Sequence, residues 1–151
     1  MSEENVEIVR RFFDATERAM SSYWRDPRSI TEAYEADDLT AEGEEALSFF
    51  DPGIVWKAGG FGTFQGIEEM LSAWEDIFEI ADGYRTSVRE LREGEGDLVY
   101  GAVDRAITAK GSGIEATVPV YVAIRLKNGR LAQVEEYVDR REALEAAGLS
   151  E

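Results

Sequence analysis

Residues 114–138 read IEATVPVYVAIRLKNGRLAQVEEYV, and the alternation inside this stretch decides the fold. Every second residue from Ile114 through Ala116, Val118, Val120, Val122 and Ile124 to Leu126 is apolar, which gives an extended strand one greasy face. Asn128-Gly129 follows, the dipeptide whose two positive-φ positions close a tight hairpin, and 130–138 is the return strand. Pro119 has no N–H for a ladder, so a bulge or local break is predicted there. The same two-residue period runs upstream over 84–93 and 97–108, with turns at Glu95-Gly96 and Gly111-Ser112-Gly113. Four successive antiparallel strands result.

Ahead of these strands the period is helical. Val6, Val9, Phe13, Thr16 and Met20 form a stripe over residues 3–23, widened by Phe12, Ala19 and Tyr23. Ser2 suits the N-cap and Asp26-Pro27 the stop. Ser29-Ile30-Thr31-Glu32 fits a capping box, and Thr40 caps a second short helix carrying Ala46, Leu47 and Phe50. Ile54–Lys57 reads as a short strand, Gly59-Gly60 as a turn and Phe61–Gln65 as the return. After Gly66 comes the clearest helix, with Ile67, Met70, Leu71, Trp74, Ile77, Phe78 and Ala81 in step and Asp82-Gly83 as its end. A short helix follows Asp139. Helices first and a meander last is an α+β layout: helices packed on one face of a curved, mostly antiparallel sheet that encloses an apolar pocket.

Composition narrows the chemistry. At 151 residues the chain is expected to form one domain, residues 1–151. The absence of cysteine and histidine excludes disulfides, thiolate and imidazole catalysis and the usual zinc and haem ligands. Lys+Arg 16 against Asp+Glu 32 leaves a net charge of −16, which repels a phosphate backbone or an anionic membrane. Neither nucleic acid nor membrane is an expected partner, and with no leader-like start at Met1-Ser2-Glu3-Glu4 the expected location is the cytoplasm. Gly59-Gly60 with Gly62 is a hairpin and not a phosphate loop, since no helix with Lys-Ser/Thr follows. The acids at Asp37, Asp38, Glu42, Glu44 and Glu45 lack calcium-loop spacing. No cofactor and no metal are expected.

The run Asp51-Pro52-Gly53-Ile54-Val55-Trp56, then Gly62-Thr63-Phe64-Gln65-Gly66 opening a helix, resembles the SnoaL-like branch of the NTF2-like superfamily. So does Asn128-Gly129-Arg130-Leu131 followed by Glu135-Glu136-Tyr137-Val138-Asp139. The resemblance implies a cone-shaped fold with a deep pocket between sheet and helices, often dimeric through the outer sheet face. It does not choose among the isomerases, dehydratases, cyclases, epoxide hydrolases and binders built on this fold.

Alternation along the last strand sets Ala132, Val134, Glu136 and Val138 inward, so Glu136 projects a carboxylate into the cavity, a setting that suits a general acid or base. Both faces of 97–108 are apolar, and the pattern leaves the orientation of Asp104 open; the resemblance suggests the inner face. In the limonene-epoxide-hydrolase-like branch, paired carboxylates on these two strands activate a water, and Asp104 and Glu136 occupy roughly matching positions. That branch places an Arg two residues before the first carboxylate, where this chain has Ala102, and uses an Asn near the first strand, whereas the asparagines here are Asn5 and Asn128. Polyketide-cyclase-like and scytalone-dehydratase-like branches lean on histidine. The steroid-isomerase-like branch needs a Tyr where this chain has Phe12.

Asp104 and Glu136 are therefore the candidate catalytic pair, with Trp56, Phe61, Trp74, Tyr100, Val120 and Val122 as candidate cavity lining. The plainer alternatives are a structural ion pair of Glu136 with Lys57 or Arg141, a cross-strand bridge for Asp104, and aromatics that are simply core. Two functions stay open. One is a cofactor-independent hydrolase, isomerase, dehydratase or cyclase acting on a small apolar molecule; the other is a binding or accessory domain, including a dimeric module with a vestigial cavity. Gln133, Glu135 and Tyr137 on the outer face are the expected homodimer contact.

Overall fold

A computed structural model describes residues 2–24, 29–59 and 62–150. Its elements are α1 (Ser2–Trp24), α2 (Ile30–Glu35), α3 (Ala41–Ser48), β1 (Phe50–Lys57), β2 (Thr63–Gln65), α4 (Gly66–Ile80), β3 (Ala81–Glu93), β4 (Leu98–Ala109), β5 (Glu115–Lys127), β6 (Arg130–Tyr137) and α5 (Arg140–Ala146). The strands form one curved, unclosed sheet in the order β2-β1-β6-β5-β4-β3. Every neighbouring pair is antiparallel except β1 with β6. The sheet is an α+β cone wall: α1 and α4 cover its concave face, and α5 packs on the convex side.

The helices form where their local chemistry supports them. The α1 stripe delivers Val9, Phe12, Phe13, Ala19, Met20 and Tyr23 to the interior, all at most 8% exposed. Ser29 Oγ accepts from Glu32 N at 3.0 Å and Thr40 Oγ1 from Gly43 N at 3.1 Å, so both expected caps are made. Asp26-Pro27, Gly60 and the side chain of Ser2 lie outside the described residues. The Asn128-Gly129 turn has φ of 53° and 76°, both positive as its tight geometry requires.

Several expectations are corrected. Phe50 does not ride on α3; it opens β1, buried against Phe12 at a ring separation of 5.2 Å. No loop separates α4 from β3. Ala81 is already extended (φ −129°, ψ 144°), and Asp82-Gly83 are strand residues at a register shift. β5 runs unbroken through Pro119, which faces Asp104 in regular register. The reason is topological: β6 pairs with β5 only as far as Tyr121, so Pro119 sits on an edge stretch where a missing donor is tolerated.

The apolar face of β5 is buried from Val120 to Leu126, but Ile114 and Val118 are 68% and 46% exposed. Val138 lies past the end of β6 and is 87% exposed rather than inward. Leu131 packs in the main core with Val134, although alternation puts them on opposite faces, because the register slips between Arg125 and Leu126 and leaves Ala132 as an extra residue.

Candidate functional site

The cone holds a cavity of about 310 Å³ between α1, α4 and the concave sheet face. Its walls are mostly carbon. Phe12, Phe13 and Met20 come from α1, Trp56 from β1, and Met70, Trp74 and Ile77 from α4. The stripe spacing of both helices turns these side chains towards the sheet, and Phe50 behind them stacks edge-on to Trp56 and at a tilt to Trp74. Trp56 and Trp74 thus line the cavity. Val120 and Val122 lie in the core and do not reach it. Phe61 lies outside the described residues.

One polar cluster interrupts the carbon. Glu136 reaches inward from β6 and accepts three hydrogen bonds: Arg105 Nη1 donates to Oε1 at 3.2 Å, Arg105 Nη2 to Oε2 at 2.9 Å, and Trp56 Nε1 to Oε2 at 2.8 Å. The side chains of Arg105 and Glu136 are only 21% and 10% exposed, so the pair is largely desolvated and bidentate. The cation that meets Glu136 is therefore Arg105, not Lys57 or Arg141. Burial opposes the charge on Arg105, but the Tyr84 hydroxyl and the Glu136 carboxylate outweigh it and push its pKa further above the ordinary arginine value. The guanidinium also stands over the Tyr84 ring, 5.8 Å from its centre. Its Nε, and the Oγ1 of Thr16 in the α1 wall, are buried without a hydrogen-bond partner. Asp76 lines the mouth from the exposed side of α4.

Asp104 does not share this cavity. Register settles its orientation: Val103 faces Val120 and Arg105 faces Val118, which leaves Asp104, opposite Pro119 and Ser87, on the convex side. There it pairs with Arg89 at 3.0 Å, both side chains well exposed, and Arg89 sits over the Tyr121 ring. Tyr100 shares that face. It is wholly buried against Ala143, Leu144 and Ala147 of the α5 region, under Arg140, and is no part of the cavity wall.

Among the described residues, the depth of the site therefore offers one carboxylate, Glu136, already holding a guanidinium and an indole N–H, with Asp76 at the mouth. Two positions beyond Arg105 on the same strand face stands Ile107, an apolar member of the wall. A carboxylate pair around a water is thus not assembled. What remains is an apolar chamber with a charge-balanced, hydrogen-bonding end.

Against known proteins, residues 28–134 match the family model of the SnoaL-like domain. No curated protein matches the sequence significantly. Among solved structures the chain is similar to an NTF2-like protein from Burkholderia pseudomallei (20% identity, TM-score 0.61, covering 95% of this chain and 97% of that one). It is also similar to a protein from Jannaschia sp. described as a SnoaL-like polyketide cyclase (19%, 0.62, 90% and 85%). An epoxide hydrolase of the LEH-like kind from M. tuberculosis superposes with a TM-score of 0.63 at 12% identity, covering 97% and 90%. At these identities the structures speak for the fold, and the family match carries the assignment: the chain belongs to the SnoaL-like domain family.

Proposed function

We propose that this chain holds a small, largely apolar molecule in the cone, with its one polar end turned to Arg105 and Glu136. The observation that carries this reading is the cavity itself: about 310 Å³, walled by aromatic and aliphatic side chains and containing one self-neutralising polar cluster. Sites for small molecules have this composition, a few placed polar groups in an apolar shell. A binder stabilises the folded state by mass action, so a ligand at a hundred times its Kd adds about 2.7 kcal/mol and raises Tm by roughly 5–10 °C. The test is a thermal-shift screen of compact apolar compounds on the whole chain, repeated on Ala73→Trp, which places an indole where Ala73 now lines the chamber. Binding by wild type and its loss in A73W support the reading; equal shifts in both chains refute it.

Catalysis is the second reading, and one observation favours it: Glu136, the one carboxylate deep in the chamber among the described residues, is fixed beside a permanent cation. Glu136 has roughly four lone-pair sites and uses three. The fourth is available to take a proton from a substrate carbon or a water, while Arg105 steadies the oxyanion that develops. Glu136→Gln would then remove turnover and leave binding in place. The convex face beside α5, where Tyr121 pairs with Tyr137, is the surface we assign to a homodimer contact.

A further inference from the structure

Glu136 and Arg105 cancel one another's charge at the cavity wall, joined by hydrogen bonds of 3.2 and 2.9 Å. Among the described lining residues Arg105 is the one base, and the acid Asp76 stands at the mouth of a chain whose net charge is −16. An anionic head group entering here meets, among the described lining residues, no uncommitted cation, and a field of its own sign. A pure hydrocarbon, for its part, leaves donors unused. A guanidinium has five N–H groups, of which Glu136 takes two. Nε is buried without a partner, and so is the Thr16 hydroxyl.

We propose that Glu136 sets the charge selectivity of the cavity: by occupying Arg105 it makes the site accept a neutral molecule bearing one carbonyl-type oxygen and reject the corresponding carboxylate. The inference rests on the small-molecule reading above. The ligand oxygen accepts an N–H that Glu136 leaves over. The two orphaned donors are buried, so they become available only as the ligand shifts the side chains lying over them. A carboxylate binds well here only once Arg105 is released from its partner.

Three matched probes test this on the full chain by calorimetry or NMR titration: ethylnaphthalene, methyl naphthyl ketone and naphthoate. Wild type is expected to bind the ketone about tenfold or more tighter than the hydrocarbon, and naphthoate most weakly. In Glu136→Gln, naphthoate is expected to gain roughly ten- to hundredfold and overtake the ketone. Equal binding of ketone and naphthoate by wild type, or no gain in E136Q, overturns the inference. If E136Q does not fold, the double variant Arg105→Leu/Glu136→Leu replaces the pair with carbon; it should keep hydrocarbon binding and lose the ketone's advantage, and a retained advantage overturns the inference equally. Binding of none of the three by wild type sinks the pocket reading itself. Hydrocarbon binding without discrimination by charge sinks only the selectivity.

Discussion

A guanidinium and a carboxylate held out of water cost several kcal/mol each to desolvate, and they are tolerated because each answers the other. Arg105 and Glu136 are in that position, with Trp56 adding a third hydrogen bond. Removing one partner should therefore hurt far more than removing both. Arg105→Ala leaves an unpaired buried carboxylate and is expected to cost about 3–5 kcal/mol of stability, whereas Arg105→Leu/Glu136→Leu should come within about 1 kcal/mol of wild type or exceed it. Urea unfolding of the two variants measures this, and a double variant as unstable as the single one would show that the pair holds the fold together. Half of this site was legible. Glu136 is the sole polar residue on an otherwise apolar strand face, which is a signal that survives without a structure. Arg105 was missed because both faces of β4 look apolar: one lines the cone, and the other, with Tyr100 and Ala102, lies against the α5 region. The signal that would have found it is the hairpin. Counting outwards from Gly111-Ser112 puts Val103 opposite Val120 and Arg105 opposite Val118, as observed, and so turns Arg105 inward and Asp104 out.

The same contrast holds for whole elements. Helices with an unbroken stripe, α1 and α4, and strands bounded by positive-φ turns, β5 and β6, were readable to within a few residues, because one buried face repeats at the period of the element. The start of β1 was not. Asp51-Pro52-Gly53 has no strand pattern, and its place in the sheet is imposed by parallel pairing with β6, where Phe50 meets Leu131 some eighty positions away in sequence. The docking of α5 is likewise a tertiary contact, made by packing on Tyr100 and Ala102 and by a close backbone approach at Gly94. A Cβ on Gly94 would stand 2.5 Å from the Ala147 carbonyl oxygen and 2.8 Å from that of Leu98, both backbone atoms, and that same Ala147 oxygen accepts from Glu95 N at 2.8 Å. Gly94→Ala should thus lift the end of α5 away from the β3–β4 turn at a cost of about 1–3 kcal/mol. Hydrogen exchange should show the loss first in α5 and at Glu95; protection there equal to wild type would mean that the turn yields instead. The N-cap of α3 makes a milder comparison, since Thr40→Ala forfeits a single capping bond worth about 1 kcal/mol.

For the molecule as a whole, charge and pH act on the outer face. Tyr137 donates to Glu135 Oε2 at 2.9 Å, and burial, reinforced by that carboxylate, pushes its pKa from 10.0 up to about 12. A raised pKa stabilises the fold while the phenol is neutral in both states. The contribution is complete below pH 10 and drains away as pH climbs from 10 to about 12, because the unfolded chain then releases a proton that the folded chain retains. Tyr137→Phe should flatten the alkaline limb of the stability curve in that window, and phenolate absorbance should show one tyrosine fewer among the late-ionising set. The same face, if it joins two subunits, brings together two bodies of −16 each. Their repulsion reaches about 30 Å at 0.01 M salt and only about 8 Å at 0.15 M, whereas burying the neighbouring Tyr121 and Tyr137 rings under a partner is insensitive to ions. Association should therefore strengthen with added salt, the reverse of a contact made by opposite charges. Sedimentation at the two ionic strengths is expected to move the chain from mostly monomer to mostly dimer, and Tyr121→Asp to hold it monomeric at both. Salt-driven dissociation would overturn this apolar contact in favour of one made by complementary charges, such as Arg85 with Glu115 or Arg140 with Glu90 exchanged between subunits.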